Sequence, residues 1–362
     1  MYVMGDVLET MIDDLRQLVE AESPSSDPQL LARSAEVVAD LIERHLGTRP
    51  TLIDEGAGPH VHWTGGGDPK VLILGHHDTV FPAGTLDQRP FNVENGRATG
   101  PGVFDMKAGI VQAIHAVASM NDRSGVEILL SCDEEVGSTT SRSLLEERAI
   151  ACGTVLVLEP SGDGGALKTG RKGTGTFEVV IGGRAAHAGL EPHRGVNSLV
   201  EAAHQVLAIA EFADDLQETT VTPTVAHAGT ADNVVPAETR IRVDVRVTSA
   251  EEAQRIEAAF ADLAPVNPAA TIEVNGRVGR PPMPESASAE LMPLALAHDA
   301  SVVGVAVGGG SDGNFTAARG VPTLDGLGAV GGGAHADHEY VEVETMPGRA
   351  DLLAAIIEAR TN

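Results

Sequence analysis

The sequence predicts an α/β fold, because three short apolar runs each end in residues able to bind metal or move protons. Val71–Leu74 passes through Gly75 into His76, His77 and Asp78. Val126–Ser131 (VEILLS) leads into Cys132, Asp133, Glu134 and Glu135, and Val155–Leu158 leads into Glu159. Apolar runs without alternation are buried on both faces, as strands are inside a parallel sheet covered by helices. In open α/β sheets the chemistry gathers beyond the carboxyl ends of the strands. The expected architecture is a mostly parallel sheet flanked by helices, with a metal site at one edge.

Taken in order, Asp6 to Glu20 carries apolar residues at helical spacing: Val7, Leu8, Met11, Ile12, Leu15, Leu18 and Val19. Ser26-Asp27-Pro28 reads as a cap followed by a proline in the first turn of a second helix, ending near His45. Short strands are expected at Thr51–Ile53 and His60–Trp63. Residues 81–104, rich in Pro, Gly, Asn and Asp, read as a long functional loop. Asp105 follows, just ahead of an apolar helix begun by Ile110 and Val111, where it could equally cap the helix.

Beyond Glu159 the texture changes. Gly162, Gly164, Gly165 and Gly170 suggest a flexible crossing. Thr174–Ile181, Val221–Ala228 and Arg240–Val247 then alternate apolar and polar residues, as half-exposed antiparallel strands do. Helices are expected near Val196–Ile209 and Ala250–Leu263. This is the pattern of an inserted α+β domain at 170–282, closed by a second crossing in GRVGRPPMPES. Residues 1–169 and 283–362 are expected to form the other domain, which carries the strand-end histidines and acids. Its last part holds a helix near Ala287–His298, a glycine turn at Gly308–Gly313 into a short helix, a strand at Val321–Leu324 and a closing helix at Met346–Ala359, with Thr345 as a cap.

Of the 362 residues, 42% are apolar, enough for an ordinary core, but only 3% are aromatic. With 52 acidic against 25 basic residues the formal charge is −27, which disfavours nucleic acid and anionic membrane surfaces as partners. Clustered carboxylates neutralised by divalent cations would account for part of the excess. Two cysteines, Cys132 and Cys152, make no disulfide framework. The opening MYVMGDVLETMIDDL lacks the basic start and apolar run of a secretory signal, and no run suits a membrane helix. The expectation is a cytoplasmic protein.

His76, Asp105, Glu135, Glu159 and a late histidine, His335 or His338 in AHADHEY, would together offer a mixed oxygen and nitrogen donor set. Asp78 could fix the ring of His76 by accepting its second N–H. His77 is the rival ligand, expected to point away from the same face. If the segment is extended, adjacent Glu134 and Glu135 point opposite ways, so one could bind metal while the other handles a proton.

GHHDTV, GPGVFDMKAG, SCDEEVGS, VLEPS and GGAHADHEY, in this order, resemble the co-catalytic zinc peptidases. That family includes glutamate carboxypeptidase, aminoacylase, acetylornithine deacetylase, succinyl-diaminopimelate desuccinylase and dimeric dipeptidases, and the texture is nearest the glutamate carboxypeptidase branch. The likeness extends to GRAAHAGLEPHRGVNS and NVVPAE of the insert. It implies a phosphorylase/hydrolase-like catalytic domain and an inserted lid and dimerisation domain. Two zinc ions (cobalt or manganese would suit the same donors) would be bridged by Asp105. His76 and Glu159 would complete one, Glu135 and His335 the other, His335 being the histidine just after the glycine turn. Glu134 would be the general base and Asp78 the partner of His76. His187 would reach a neighbouring active site in a homodimer and stabilise the oxyanion, a contribution of about 3 kcal/mol. Asn233, Arg280, Gly310 and Ser311, with Asp312 and Gly313, would receive a substrate carboxylate, the last four through backbone amides of their turn; Arg280 could instead brace the crossing.

The implied reaction is hydrolysis of an amide in a small peptide or N-acyl amino acid with a free carboxylate, under a lid hinged at the two crossings. Release of a C-terminal amino acid competes with deacylation and dipeptide cleavage. A non-catalytic dimeric binding protein would require a missing ligand or base, and none is missing. A metal-dependent phosphatase fits poorly with acidic, lysine-poor loops.

Overall fold

The computed structural model describes residues 4–361; Met1–Val3, part of the stretch read for a leader, lie outside them. The chain divides into two compact units. One comprises residues up to Gly170, Glu285–Val307 and the chain from Ser311 onward; the other comprises Arg171–Pro284 and Gly308–Gly310.

The first unit is built on a six-stranded sheet in the order Thr51–Asp54, Pro59–Thr64, Val126–Ser131, Val71–His76, Val155–Val157, Thr323–Leu324. The four strands from Val126–Ser131 onward run parallel, and the first two join antiparallel. Val71–His76 and Val126–Ser131 are buried along their whole length. Side chains alternate across a strand, so each run serves two cores. Val71 and Ile73 pack with Leu15, Val38, Ile114 and Leu353. Those four belong to helices Met4–Glu20, Pro28–Leu46, Ala108–Ser119 and Met346–Thr361. Leu72 and Leu74 pack on the other face with Leu145, Ala149 and Phe315, from helices Arg142–Cys152 and Gly313–Ala318. An uninterrupted apolar run is therefore required.

The second helix starts as expected: Asp27 accepts from the amides of Gln29 and Leu30, with Pro28 in its first turn. Asp14 of the first helix ties three helices together. It accepts from Nε2 of His45 and of His115, both at 2.8 Å, and from Arg44 at 3.1 Å. Among the described residues no helix is long and apolar enough to cross a membrane.

Residues 81–104 differ from the expected loop. They hold the short helix Thr85–Gln88 and a hairpin, Asn92–Glu94 with Arg97–Thr99. Asn95 and Gly96 at its turn both have positive φ, the combination that Asn-Gly supplies in two-residue hairpins. This hairpin pairs with Tyr340–Glu342, which in turn pairs with Gly331–Gly332. The stretch read as a flexible crossing contains the strand Leu167–Arg171, paired with Gly304–Val307. The helix expected near Ala287–His298 is a single turn, Glu285–Ser288, followed by Met292–His298. Thr345 does not present its hydroxyl as an acceptor; it donates to the Glu342 carbonyl.

The second unit is a four-stranded antiparallel sheet, Thr220–Ala228, Glu238–Val247, Gly173–Gly182, Thr271–Arg280. Val243, Val245, Val179 and Ile181 form its core with Ile209 and Phe260 of helices Ser198–Ala210 and Ala250–Ala261. Phe177 stacks on Phe260 at 3.9 Å. Three of these strands are the ones expected. The fourth was hidden because half of it was read as the second crossing. Its Gly276 is obligatory: φ is +120°, and a Cβ there would lie 2.2 Å from the carbonyl oxygen of Thr176.

Burial alone would raise the pKa of Asp14, but the hydrogen bonds from His115 and His45 outweigh it and hold the carboxyl at about 2. A lowered value stabilises the fold above the unfolded pKa near 4 and loses that contribution as pH falls towards 2. Asp14→Asn should cost about 2 kcal/mol at pH 7. In urea melts the gap to the unaltered chain should narrow below pH 4.

Candidate metal centre

The register of the parallel strands sets the site. His76 lies beside Ser131 and Leu74 beside Val157, so the residues just past each strand emerge at one edge. There, His76 is 1% exposed. Its Nε2 is 3.3 Å from Asp105 Oδ1 and 3.6 Å from Glu159 Oε1. The other oxygen of Asp105, Oδ2, is 3.3 Å from Nε2 of His335, which is also 3.2 Å from Glu135 Oε2. Two groups of three donors thus share one carboxylate.

These separations discriminate between two arrangements. A hydrogen bond between nitrogen and a carboxylate closes to about 2.8 Å, as at Asp14 with His45 and His115. Donors around a tetrahedral ion with bonds of 2.0–2.1 Å stand about 3.3 Å apart. The Asp105 groups have the second spacing and the Asp14 group has the first. Asp105 Oδ1 and Glu135 Oε1 are, moreover, buried without a hydrogen-bond partner. Buried carboxylate oxygens left this way are costly unless a cation faces them. The residues therefore fit two divalent ions bridged by Asp105.

The electrostatics agree. Burial opposes charge on His76, yet Asp105, Asp78 and Glu159 overcome it and raise its pKa well above the usual value. Asp105 and Glu135 raise His335 to about 10. Burial and the nearby Asp105 charge raise Glu135. The carboxylates demand positive charge, which protons or metal ions would supply.

Local geometry aims each group. Nδ1 of His76 lies 3.0 Å from the Asp78 carbonyl and 3.4 Å from its carboxylate, so the carbonyl is the nearer acceptor and Nε2 is left for a metal. The Asp78 carboxylate accepts from Ser25 Oγ at 2.6 Å and from the amides of Glu134 and Glu135 at 3.2 Å. Those glutamates are not extended: they form a 3₁₀ turn, Glu134–Val136, in which successive side chains still diverge. Glu135 enters the donor group while half-buried Glu134 stays outside it. Asp105 caps nothing: Lys107 holds the N-cap position, without a side-chain cap bond. His335 has φ +62°, a left-handed conformation uncommon for a residue with a side chain. Such conformations cluster at functional sites. His338 is exposed and outside the donor groups. His77 faces away, bonded to Pro59 and Ser34, and burial lowers it to about 4.

The model of Peptidase family M20/M25/M40 matches residues 72–359. The chain belongs to this family. It is 31% identical to carboxypeptidase G2 of Pseudomonas sp. (strain RS-16), covering 97% of this chain and 89% of that one. A succinyl-diaminopimelate desuccinylase of Thioalkalivibrio sulfidiphilus is 26% identical over 81% of this chain and 84% of its own. Among solved structures, aminopeptidase PepT of Bacillus cereus shares the fold with a TM-score of 0.77 at 24% identity, covering 98% and 99% of the two chains. This M20 peptidase is a hydrolytic enzyme.

The remaining expected residues lie elsewhere. In the second unit, Ala188 donates its amide to the Asn233 carbonyl, which brings exposed His187 and Asn233 together. Nδ1 of His187 accepts from the amides of Gly189 and Leu190, so its proton sits on outward Nε2. Buried Arg280 ends its strand, and a Cβ on Gly310 would lie 2.8 Å from its Cδ. Buried Arg171, which the sequence reading passed over, donates to the carbonyls of Gly309 and Gly310. Ser311, in the first unit, is a correction. It is 0% exposed; its amide donates to Asn314 Oδ1 and its hydroxyl to Asp325, so neither is left for a ligand. The Gly313 amide is likewise spent on Ser311 Oγ, and Asp312 accepts from Ser131 and Ser138. Glu339 and Ser25 were also missed, since isolated polar residues near loops carry no local signature.

Zinc added to chelator-stripped protein at 1,000 times its Kd should stabilise it by about 4 kcal/mol. Thermal melts should show a rise of several degrees that His76→Ala or Asp105→Ala abolishes and Asp14→Asn retains.

Proposed function

We propose that this M20 peptidase is a di-metal hydrolase that cleaves an amide bond in a small substrate with a free carboxylate, releasing a C-terminal amino acid. The observation that carries the reading is the pair of donor groups sharing Asp105, with Glu134 adjoining one of their ligands. His76, Asp105 and Glu159 would hold one ion and Asp105, Glu135 and His335 the other, zinc being the choice and cobalt or manganese suited to the same donors. Bound divalent ions supply Lewis acidity and lower the pKa of water.

Glu134 takes a proton from the attacking water and returns it to the departing nitrogen as the C–N bond breaks, and the second water proton follows it to the amine, leaving a carboxylate and an ammonium group. Asp78 fixes the His76 ring and, through its two amide contacts, the turn bearing Glu134. His187, with its proton on Nε2, would reach the active site of a neighbouring subunit and donate to the scissile carbonyl oxygen as negative charge develops. Asn233, Arg280 and Gly310 receive the substrate carboxylate, Arg280 offering a two-pronged contact. Likeness to carboxypeptidase G2 supports peptide-type cleavage. Likeness to a desuccinylase supports a second reading, removal of an acyl group from an N-acyl amino acid by the same chemistry.

The chain would act as a homodimer through its second unit. Helix Ser198–Ala210 exposes Leu199, Val200 and Leu207, the last at 70%, which supports an apolar contact there. Light scattering should return twice the chain mass, and Leu207→Asp should reduce it to one.

Glu134→Gln should retain about two zinc ions per chain by mass spectrometry while kcat falls roughly 10²–10⁴-fold. Retained turnover would remove Glu134 from its role. A panel of C-terminal dipeptides, N-acyl dipeptides and N-succinyl or N-acetyl amino acids separates the two readings by kcat/KM.

A further inference from the structure

Besides Asp78 and Glu134, a third acidic side chain beside the metal centre belongs to neither donor group. Glu339 is 0% exposed and four residues past His335. Its Oε2 accepts the amide of Gly102 at 2.9 Å, and its Oε1 accepts the amides of Phe104 at 2.8 Å and Asp105 at 2.9 Å. Three donors of one short segment therefore converge on a single carboxylate, the acceptor-only side chain with enough lone pairs to take them all.

The same residue is anchored on the His335 side. The Ala336 amide donates to the Gly333 carbonyl, closing the turn that contains His335, and the Glu339 amide donates to the Ala336 carbonyl, so the turn that Glu339 closes follows directly on that one. The next residues, Tyr340–Glu342, pair one for one with Thr99, Ala98 and Arg97. The loop bearing His335 and the segment bearing Asp105 are thus stitched first by a ladder and then by Glu339. Asp105 itself has φ −113° and ψ 92°, outside helical geometry, so no regular element holds it. Gly102 permits the close approach: its φ is +72°, and a Cβ there would lie 2.5 Å from Thr79 Cγ2.

We propose that Glu339 is a positioning residue of the metal centre, whose carboxylate holds the Gly102–Asp105 backbone so that the two Asp105 oxygens face His76 and His335 at once. This rests on the two-metal reading above. Glu339 touches neither substrate nor metal in this role. It acts through Asp105 and fixes the distance between the two donor groups.

Zinc titration against a competing chromophoric chelator tests it, using the chelator-stripped full chain, Glu339→Ala and Glu339→Gln. Outer partners of ligands typically contribute 10–100-fold in metal affinity, and Glu339→Ala should lose zinc affinity by about that factor. Glu339→Gln keeps one oxygen for Phe104 and Asp105 but turns an NH₂ towards the Gly102 amide, so its loss should be smaller. Hydrogen exchange of the peptide spanning residues 100–107 should quicken in both variants in the same order. If Glu339→Ala does not fold, the Gln variant decides: weakened zinc binding with faster exchange supports the assignment, and affinity equal to the unaltered chain overturns it. A variant whose chelated melting temperature falls while zinc affinity stays unchanged also overturns it, because only packing would then be lost. Failure of the unaltered chain to take up zinc would overturn the two-metal reading and this inference with it. Normal uptake by both the chain and its variants overturns this inference alone.

Discussion

The first unit is organised around one electrostatic demand: the carboxylates of Asp105, Glu135 and Glu159 and the imidazoles of His76 and His335 are gathered close together, with His76 and Glu159 buried, Asp105 and Glu135 half-buried and His335 at the exposed edge. Buried like charges are tolerated only when positive charge is held among them. The two oxygens of Asp105 face different histidines, so a single carboxylate sets the separation of the two donor groups. A displacement of that side chain would disturb both groups together.

Support for this cluster comes in layers of increasing reach. The Asp78 carboxylate receives Ser25 and two amides while its carbonyl orients His76, so one residue joins a candidate ligand to the glutamate turn. Behind it, Val71–His76 is clamped between two apolar cores, which fixes where its last residue emerges. Across the site, the small sheet made by Arg97–Thr99 and Tyr340–Glu342 carries the late histidine to the middle of the chain's chemistry. Rigid strands thus hold one side and a stitched pair of loops the other.

The second unit has its own core and its own polar group. Its antiparallel sheet needs only one covered face, which explains why Glu238–Val247 alternates while the parallel strands do not. His187 and Asn233 are held together by backbone bonds of neighbouring segments, and Arg171 grips the glycine turn beside Arg280. His187 is exposed with its Nδ1 held by two amides, whereas Arg171 and Arg280 are buried beside the glycine turn.

Much of this was legible along the chain. Apolar runs mark buried strands because burial on both faces is a local compositional requirement, and the donors follow those runs directly. Alternation marked three strands of the second unit for the same reason. The fourth escaped because Gly276 and Gly279 read as punctuation, although close approach to Thr176 is what demands the first of them. The Asn95-Gly96 hairpin had a local signature that the surrounding polar residues masked. Other matters had no local signature. Whether Asp105 caps a helix or faces two imidazoles, whether His335 or His338 enters the cluster, and what Glu339 grips all depend on segments more than two hundred residues apart. The sequence determined which residue types were available and which strands would be buried. Tertiary structure decided which oxygens and nitrogens meet, because that depends on side-chain direction across long-range contacts and not on neighbours in the chain.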